Sequence, residues 1–303
     1  MNSKCPHFIG KNSVNLENKD FLSGPDQRLI IRNGFYFRKS DSKWIEKFYC
    51  RSCEIYLSRA TGKRTFGQKK RRVNSKLNQL LCSGVSQRRV AFLLGINRKT
   101  VARKLKFLAT EARIKQARFL KSYQENPLTF IQWDDLETAE HSKCKPLSVA
   151  LAVEPKTRKI LSFQVSQMPA KGHLAKIAFR KYGYRKDERS KGWDRLFKSL
   201  KPIVDPKATF LSDENPHYPK ALRTHFPDSN YQTVKGRRGC IAGQGELKKI
   251  GFDPLFDLNH TCAMLRANLN RLFRRTWCMT KKRDALADHI AMYVAFHNEV
   301  LTP

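Results

Sequence analysis

The chain has 303 residues, with 60 Lys and Arg against 26 Asp and Glu, and a formal net charge of +34. Self-repulsion on that scale burdens a compact state and serves no enzyme of small metabolites, so it points to a polyanionic partner, nucleic acid above all. With 40% hydrophobic residues, 19 Phe, 9 Tyr and 4 Trp, the composition excludes a wholly disordered chain, and no apolar run approaches the roughly 18 residues of a membrane span.

The opening Met1-Asn2-Ser3-Lys4-Cys5 lacks the apolar stretch of a secretory signal. The expectation is therefore a cytoplasmic protein whose eight cysteines form no disulfide framework. Cys5-Pro6-His7 and Cys50-Arg51-Ser52-Cys53 bracket a segment rich in Tyr and Phe. Two thiolates spaced by two residues can bind one tetrahedral Zn²⁺ from a tight knuckle, and Cys5 and His7 can complete the set. Strands are expected at residues 29–31 and 35–37 around a turn at Asn33-Gly34. Residues 1–65 thus read as a zinc ribbon; the plainer alternative is a small core of reduced cysteines. Cys82, Cys144, Cys240, Cys262 and Cys278 stand singly and read as structural.

Residues 66–126 carry a basic run (Lys69-Lys70-Arg71-Arg72) and then the rhythm of a helix-turn-helix. A first helix is expected over 74–82. Ser86 is placed as the N-cap of a second helix over 87–94, and Gly95-Ile96-Asn97 as the turn. A recognition helix over 98–105 would turn Val101 and Leu105 inward and Arg98, Lys99 and Arg103 toward a major groove, then run on as a basic helix to Asn126-Pro127.

Residues 127–303 change texture. Strands are expected at 128–133, 147–153, 160–165, 208–213 and 231–234, with a basic helical stretch over 172–201 and closing helices over 259–277 and 281–297. The first strand runs into Asp134-Asp135 and the fourth ends in Asp213. Three adjacent strands, a fourth ending in an acid, and helices behind give the order of an RNase H-like domain, a mixed sheet with flanking helices. Aspartates on neighbouring strands can hold two divalent metals about 3.5–4 Å apart across a scissile phosphate.

On these residues, together with the block 265–278 (Leu265-Arg266-Ala267 through Arg274-Arg275-Thr276-Trp277-Cys278), the chain resembles bacterial insertion-sequence transposases across essentially its whole length. The resemblance implies a multidomain protein: a zinc ribbon, an all-α helix-turn-helix, and an RNase H-like α/β catalytic domain with an acidic triad of the DDE kind. It puts Asp134 at the first position with Asp135 following, and Asp213 at the second. Which of the adjacent pair faces the metals stays open, because a central strand is buried on both faces.

The third position departs from the pattern. The relatives carry a glutamate seven residues before the first arginine of the closing block; counting back from Arg266 gives Asn259, followed by His260. Positions seven apart share a helix face. Asn259 can offer a neutral oxygen and His260 an imidazole, both weaker than carboxylate toward Mg²⁺. Glu246, among glycines, and Asp257 are the alternatives. Arg266, Arg271, Arg274 and Arg275 lie off the leucine stripe of the last basic helix and are expected to hold DNA phosphates.

The expected function is a nucleoid-associated transposase that binds the double-stranded ends of its element and, with Mg²⁺ or Mn²⁺, cleaves them and transfers the strands, working as at least a dimer and without a membrane. The rivals are a DNA-binding protein with a catalytically silent domain, and a metal-dependent nuclease without strand transfer.

Overall fold

The computed structural model describes residues 29–39, 42–61, 63–235, 253–273 and 275–302. The chain forms two compact units that divide between Ser75 and Lys76. Among the described residues no helix is long and apolar enough to cross a membrane.

In the first unit β1 (Ile30–Arg38), β2 (Lys43–Cys50) and β3 (Ile55–Ser58) pair antiparallel in that order. Asn33-Gly34 does not turn the chain, as expected from its type; it forms a bulge inside β1. The register passes from Arg32↔Phe48 to Phe35↔Glu46, and Gly34 takes φ 65°. Apolar runs on both sides of the bulge find partners on one continuous β2, so the surplus residues are absorbed within the ladder. Among the described residues the core is small: Ile30, Phe48, Cys50 and Leu57, with Cys53 and Ile55 packed against it. Cys50 ends β2 and Cys53 lies in the turn leading to β3, while Cys5 and His7 lie outside the described residues.

The second unit opens within α1 (Asn74–Leu81), and α2 (Gln87–Leu93) and α3 (Arg98–Leu120) follow. Ser86 caps α2, its hydroxyl accepting from Arg89 N at 3.3 Å, and Asn97 caps α3, accepting from Lys99 N at 2.8 Å. Gly95 at φ 57° makes the turn, and Ile96 packs beneath it against the cluster holding Leu77, Leu81, Val90, Val101 and Leu105. Arg98, Lys99 and Arg103 stay exposed. These helices share that cluster with β-strand and C-terminal residues, including Leu147, Leu151, Leu265 and Ile290.

A five-stranded sheet follows, ordered β6-β5-β4-β7-β8, from β4 (Leu128–Ala139), β5 (Pro146–Val153), β6 (Ile160–Gln167), β7 (Val204–Asp213) and β8 (Asn230–Val234). β6, β5 and β4 are antiparallel; β4, β7 and β8 run parallel. The fold is thus mixed α/β, with a mixed sheet flanked by helices. The expected helix over 172–201 is two, α4 (Leu174–Tyr182) and α5 (Arg189–Leu200), broken where Gly183 takes φ 72°. Trp193, Leu196, Phe197 and Leu200 recur at helical spacing and bury one face of α5 against Trp133, Ile131 and Phe210. After the short α6 (Tyr218–Arg223), α7 (Phe256–Asn268) and α8 (Arg283–Phe296) cover the other sheet face.

The expected helix over 259–277 also stops short, at Asn268. Leu269 goes extended (φ −105°, ψ 107°), and 3-10 turns at Asn270–Leu272 and Thr276–Cys278 replace the continuation. Tertiary bonds hold the break. Asn268 Nδ2 donates to Met264 O at 2.9 Å, and Asn268 O accepts from Gly84 N at 2.6 Å. Leu265, Leu269 and Leu272 are buried all the same. Arg271 therefore leaves the helix surface and donates inward to Thr280 Oγ1 at 2.9 Å.

His289 of α8 ties the helix-turn-helix to this unit, its Nε2 donating to Leu81 O at 2.9 Å. Burial, and next the charge of Arg271, push its imidazole down to about 4. The unfolded chain takes up this proton near the ordinary histidine value of about 6.5, so stability falls as pH drops from there toward 4. His289→Gln keeps a donor for Leu81 O and removes the titration. Measured by differential scanning fluorimetry, the Tm of the variant relative to the parent should therefore become more favourable with each step from pH 6.5 to 4.

Candidate active site

β4 does not end at Asp134, as expected, but runs five residues further because antiparallel pairing with β5 continues to Ala139↔Pro146. Its parallel neighbour β7 pairs only as far as Gln132↔Leu211. Asp134, two residues on, therefore emerges beside Asp213, the last residue of β7. Pleat alternation sorts the neighbours on β4. Ile131 and Trp133 belong to the α5/α6 cluster, whereas Leu136 belongs to the opposite one.

Asp134 lies on the α7 side. The side chain of Gln132, two residues earlier, donates to Pro254 O at 2.8 Å and accepts from Leu258 N at 3.0 Å, which pins the start of α7 to the strand. Asp134 Oδ1 accepts from its neighbour's amide at 2.6 Å and from Tyr218 Oη at 2.9 Å. Burial, and then the charge of Asp213, push the Asp134 carboxyl up to about 7. Asp213 is raised too, by burial and by Glu214, and its Oδ1 is buried without a hydrogen-bond partner. Two carboxyl groups, one with a buried oxygen that no donor reaches and both disfavouring ionisation, form a place where a cation would be welcome.

Asp135, the other candidate magnesium ligand of the adjacent pair, is turned away from Asp213. It projects from the opposite pleat, where Trp193 Nε1 donates to both its oxygens at 3.0 and 3.1 Å. Burial raises its carboxyl against the pull of Trp193, Ser148 and Arg189.

Asn259, His260 and Asp257 of α7 part company. Asp257 Oδ2 accepts from Lys156 N at 2.9 Å, in the β5–β6 turn. The His260 ring lies 3.4–3.5 Å from Arg158 Nη1. Asn259 Nδ2 donates to Asp253 Oδ2 at 2.8 Å, which leaves its Oδ1 without a protein partner among the described residues. Cys262 and Arg266 share the helix face of Asn259 to within about 60°. The charge of Asp134 reaches Cys262, whose thiol burial chiefly pushes up to about 12. Glu246 and Arg274 lie outside the described residues. Arg275 is exposed, 5.8 Å from the Trp277 ring centroid.

Sequence reasoning missed Tyr218. It is 1% exposed, stacks on Trp133 with ring centroids 4.0 Å apart, and receives Asp135 N at 3.1 Å while donating to Asp134. In the sequence, Asn215-Pro216 ahead of it signals only a helix start. Tyr231 also went unremarked; its hydroxyl shares a 2.7 Å hydrogen bond with Ser212, next to Asp213. Among the described residues no group of three or more His, Cys, Asp or Glu is placed to hold a metal ion. No protein-family model matches the chain, and no curated protein matches its sequence.

Proposed function

We propose that the chain is a DNA transposase of the insertion-sequence kind, with an RNase H-like catalytic domain. The observation that carries this reading is the buried Asp134–Asp213 pair where β7 ends beside β4, with Asp213 Oδ1 unpartnered, in a protein of net charge +34. The strand order β6-β5-β4-β7-β8, antiparallel then parallel, agrees with it. So does a helix-turn-helix whose Arg98, Lys99 and Arg103 are exposed for a DNA groove.

Asp134 and Asp213 would hold divalent metal (Mg²⁺ or Mn²⁺), with Asn259 Oδ1 the favoured third oxygen because it shares a helix face with Cys262, which senses Asp134. Bound there, such ions lower the pKa of water and offset charge at a scissile phosphate. The chain's own part is positional. Gln132 sets α7 against β4, and Tyr218 keeps a donor on the ionised form of Asp134. Arg266 and Arg275 supply cations to the DNA strand. Two element ends imply at least a dimer at work.

The test incubates the full-length protein with labelled DNA carrying its own element's ends and Mg²⁺ or Mn²⁺. Cleaved and joined products that vanish in Asp213→Asn support the reading; integration unchanged in that variant overturns it. A second reading, a DNA-binding protein with a silent domain, draws on the lack of a third acid grouped with Asp134 and Asp213 among the described residues, and predicts end binding with no nicking.

Tyr218→Phe refines the test. The hydroxyl favours ionised Asp134, so its loss raises that carboxyl further and moves the acid limb of the cleavage–pH profile to higher pH. Metal affinity is expected to fall about 10–100-fold, the usual cost of losing an outer partner of a ligand. Both are read from cleavage titrated with Mn²⁺ at several pH values.

A further inference from the structure

We infer that the open face of the three-stranded sheet is a stacking platform for single-stranded DNA. Trp44, Glu46, Phe48 and Cys50 alternate onto one face of β2. The half carrying Phe48 and Cys50 is covered, both being within 1% of full burial, whereas Trp44 at the other end is 70% exposed. Opposite Trp44 stands Phe37, 47% exposed, with ring centroids 5.5 Å apart, and Phe35, two residues earlier on the same face, is 62% exposed. Three large rings held open together on one sheet face are a surface that awaits an occupant.

Charge selects that occupant. Residues 29–75 hold thirteen Lys and Arg against three Asp and Glu. The one acid among the rings, Glu46, is bridged by Arg32 at 3.3 Å and Arg59 at 2.8 Å, so the face keeps a net positive character there. Arg38, Lys39, Lys43 and Lys47 lie alongside in sequence. Aromatic rings set among cations match a polyanion with exposed π-faces. Duplex DNA hides its base faces within the stack, so only unpaired bases can use these rings. This surface is independent of the helix-turn-helix, and the inference does not rest on the transposase reading.

The test measures fluorescence anisotropy of a labelled twelve-nucleotide oligo-dT and of a blunt duplex of equal length, each titrated with the full-length protein. Trp44→Ala is expected to weaken oligo-dT binding about tenfold, with duplex affinity held within about twofold. Trp44→Phe should retain most of the binding. The slope of log affinity against log salt should stay unchanged in Trp44→Ala and fall by about 0.7 in Lys43→Ala. An unchanged oligo-dT affinity in the triple variant Phe35→Ala/Phe37→Ala/Trp44→Ala would overturn the inference. So would an equal loss on both DNAs. A second copy as the occupant would show instead as self-association, in sedimentation of the parent, that the triple variant loses. Circular dichroism of each variant checks that the sheet persists, as expected for substitutions at exposed positions.

Discussion

Asp134→Asn is expected to abolish metal-dependent cleavage of element ends and, in metal-free buffer at pH 8, to raise thermal stability. The two effects share one cause. The carboxyl is buried against Asp213 and pushed up to about 7, from an ordinary value of 3.8. Between those values the unfolded chain sheds the proton while the folded chain keeps it. The stabilisation is complete below the ordinary value and is lost as pH rises through about 7. A shift of roughly three units corresponds to about 4 kcal/mol as an upper figure, and about 2–4 kcal/mol is a reasonable expectation once relaxation is allowed. The amide keeps an acceptor for Tyr218 and carries no charge, so the variant escapes the penalty. His289 acts in the opposite sense over an overlapping range, so the comparison is between variant and parent at each pH. Scanning fluorimetry with and without Mn²⁺ provides the measurement. The parent should gain stability from Mn²⁺ at pH 8 and the variant should not. A variant no more stable than the parent in metal-free buffer would show that Asp134 is less strained than its burial implies.

The second large effect concerns the first unit. Among the described residues its core cluster holds four buried side chains, and a core of that size generally needs a staple. In the proposed zinc ribbon, Cys50 at the end of β2 and Cys53 in the following turn would supply half of a tetrahedral site, and Cys5 and His7 the other half. Binding of zinc to such knuckles is worth about 10–16 kcal/mol, so it is nearly the whole folding energy of a unit of this kind. Cys50→Ser or Cys53→Ser is expected to abolish zinc binding, read as loss of about one Zn²⁺ per chain in a colorimetric release assay. Hydrogen exchange should then show β1 to β3 unprotected while β4 to β8 keep their protection. A metal-free parent with a fully protected first sheet would establish the plainer alternative, a core of reduced cysteines.

Much of the frame is written in local sequence. Caps and turns are local: Ser86 and Gly95 meet their bonding and φ requirements within a few residues, and the helix-turn-helix follows. β5 and the end of β7 are legible as apolar runs because they are buried on both faces. Asp213 was readable because a strand that ends in an acid breaks its own hydrophobic pattern.

The remaining features depend on partners distant in sequence. Asp134 and Asp135 are indistinguishable along a strand with no polar face; Asp213 of β7 claims one and Trp193 of α5 the other. Tyr218 acquires meaning only where its hydroxyl meets Asp134, 84 residues away. The helix expected beyond Asn268 has unbroken periodicity, yet Gly84 and the core sites of Leu269 and Leu272 end it. The Asn33-Gly34 pair reads as a hairpin turn locally and becomes a bulge because β2 can pair on both sides of it. In each case a short-range preference of about 1 kcal/mol competes with burial or hydrogen bonds that sum to more, and no local pattern records that competition.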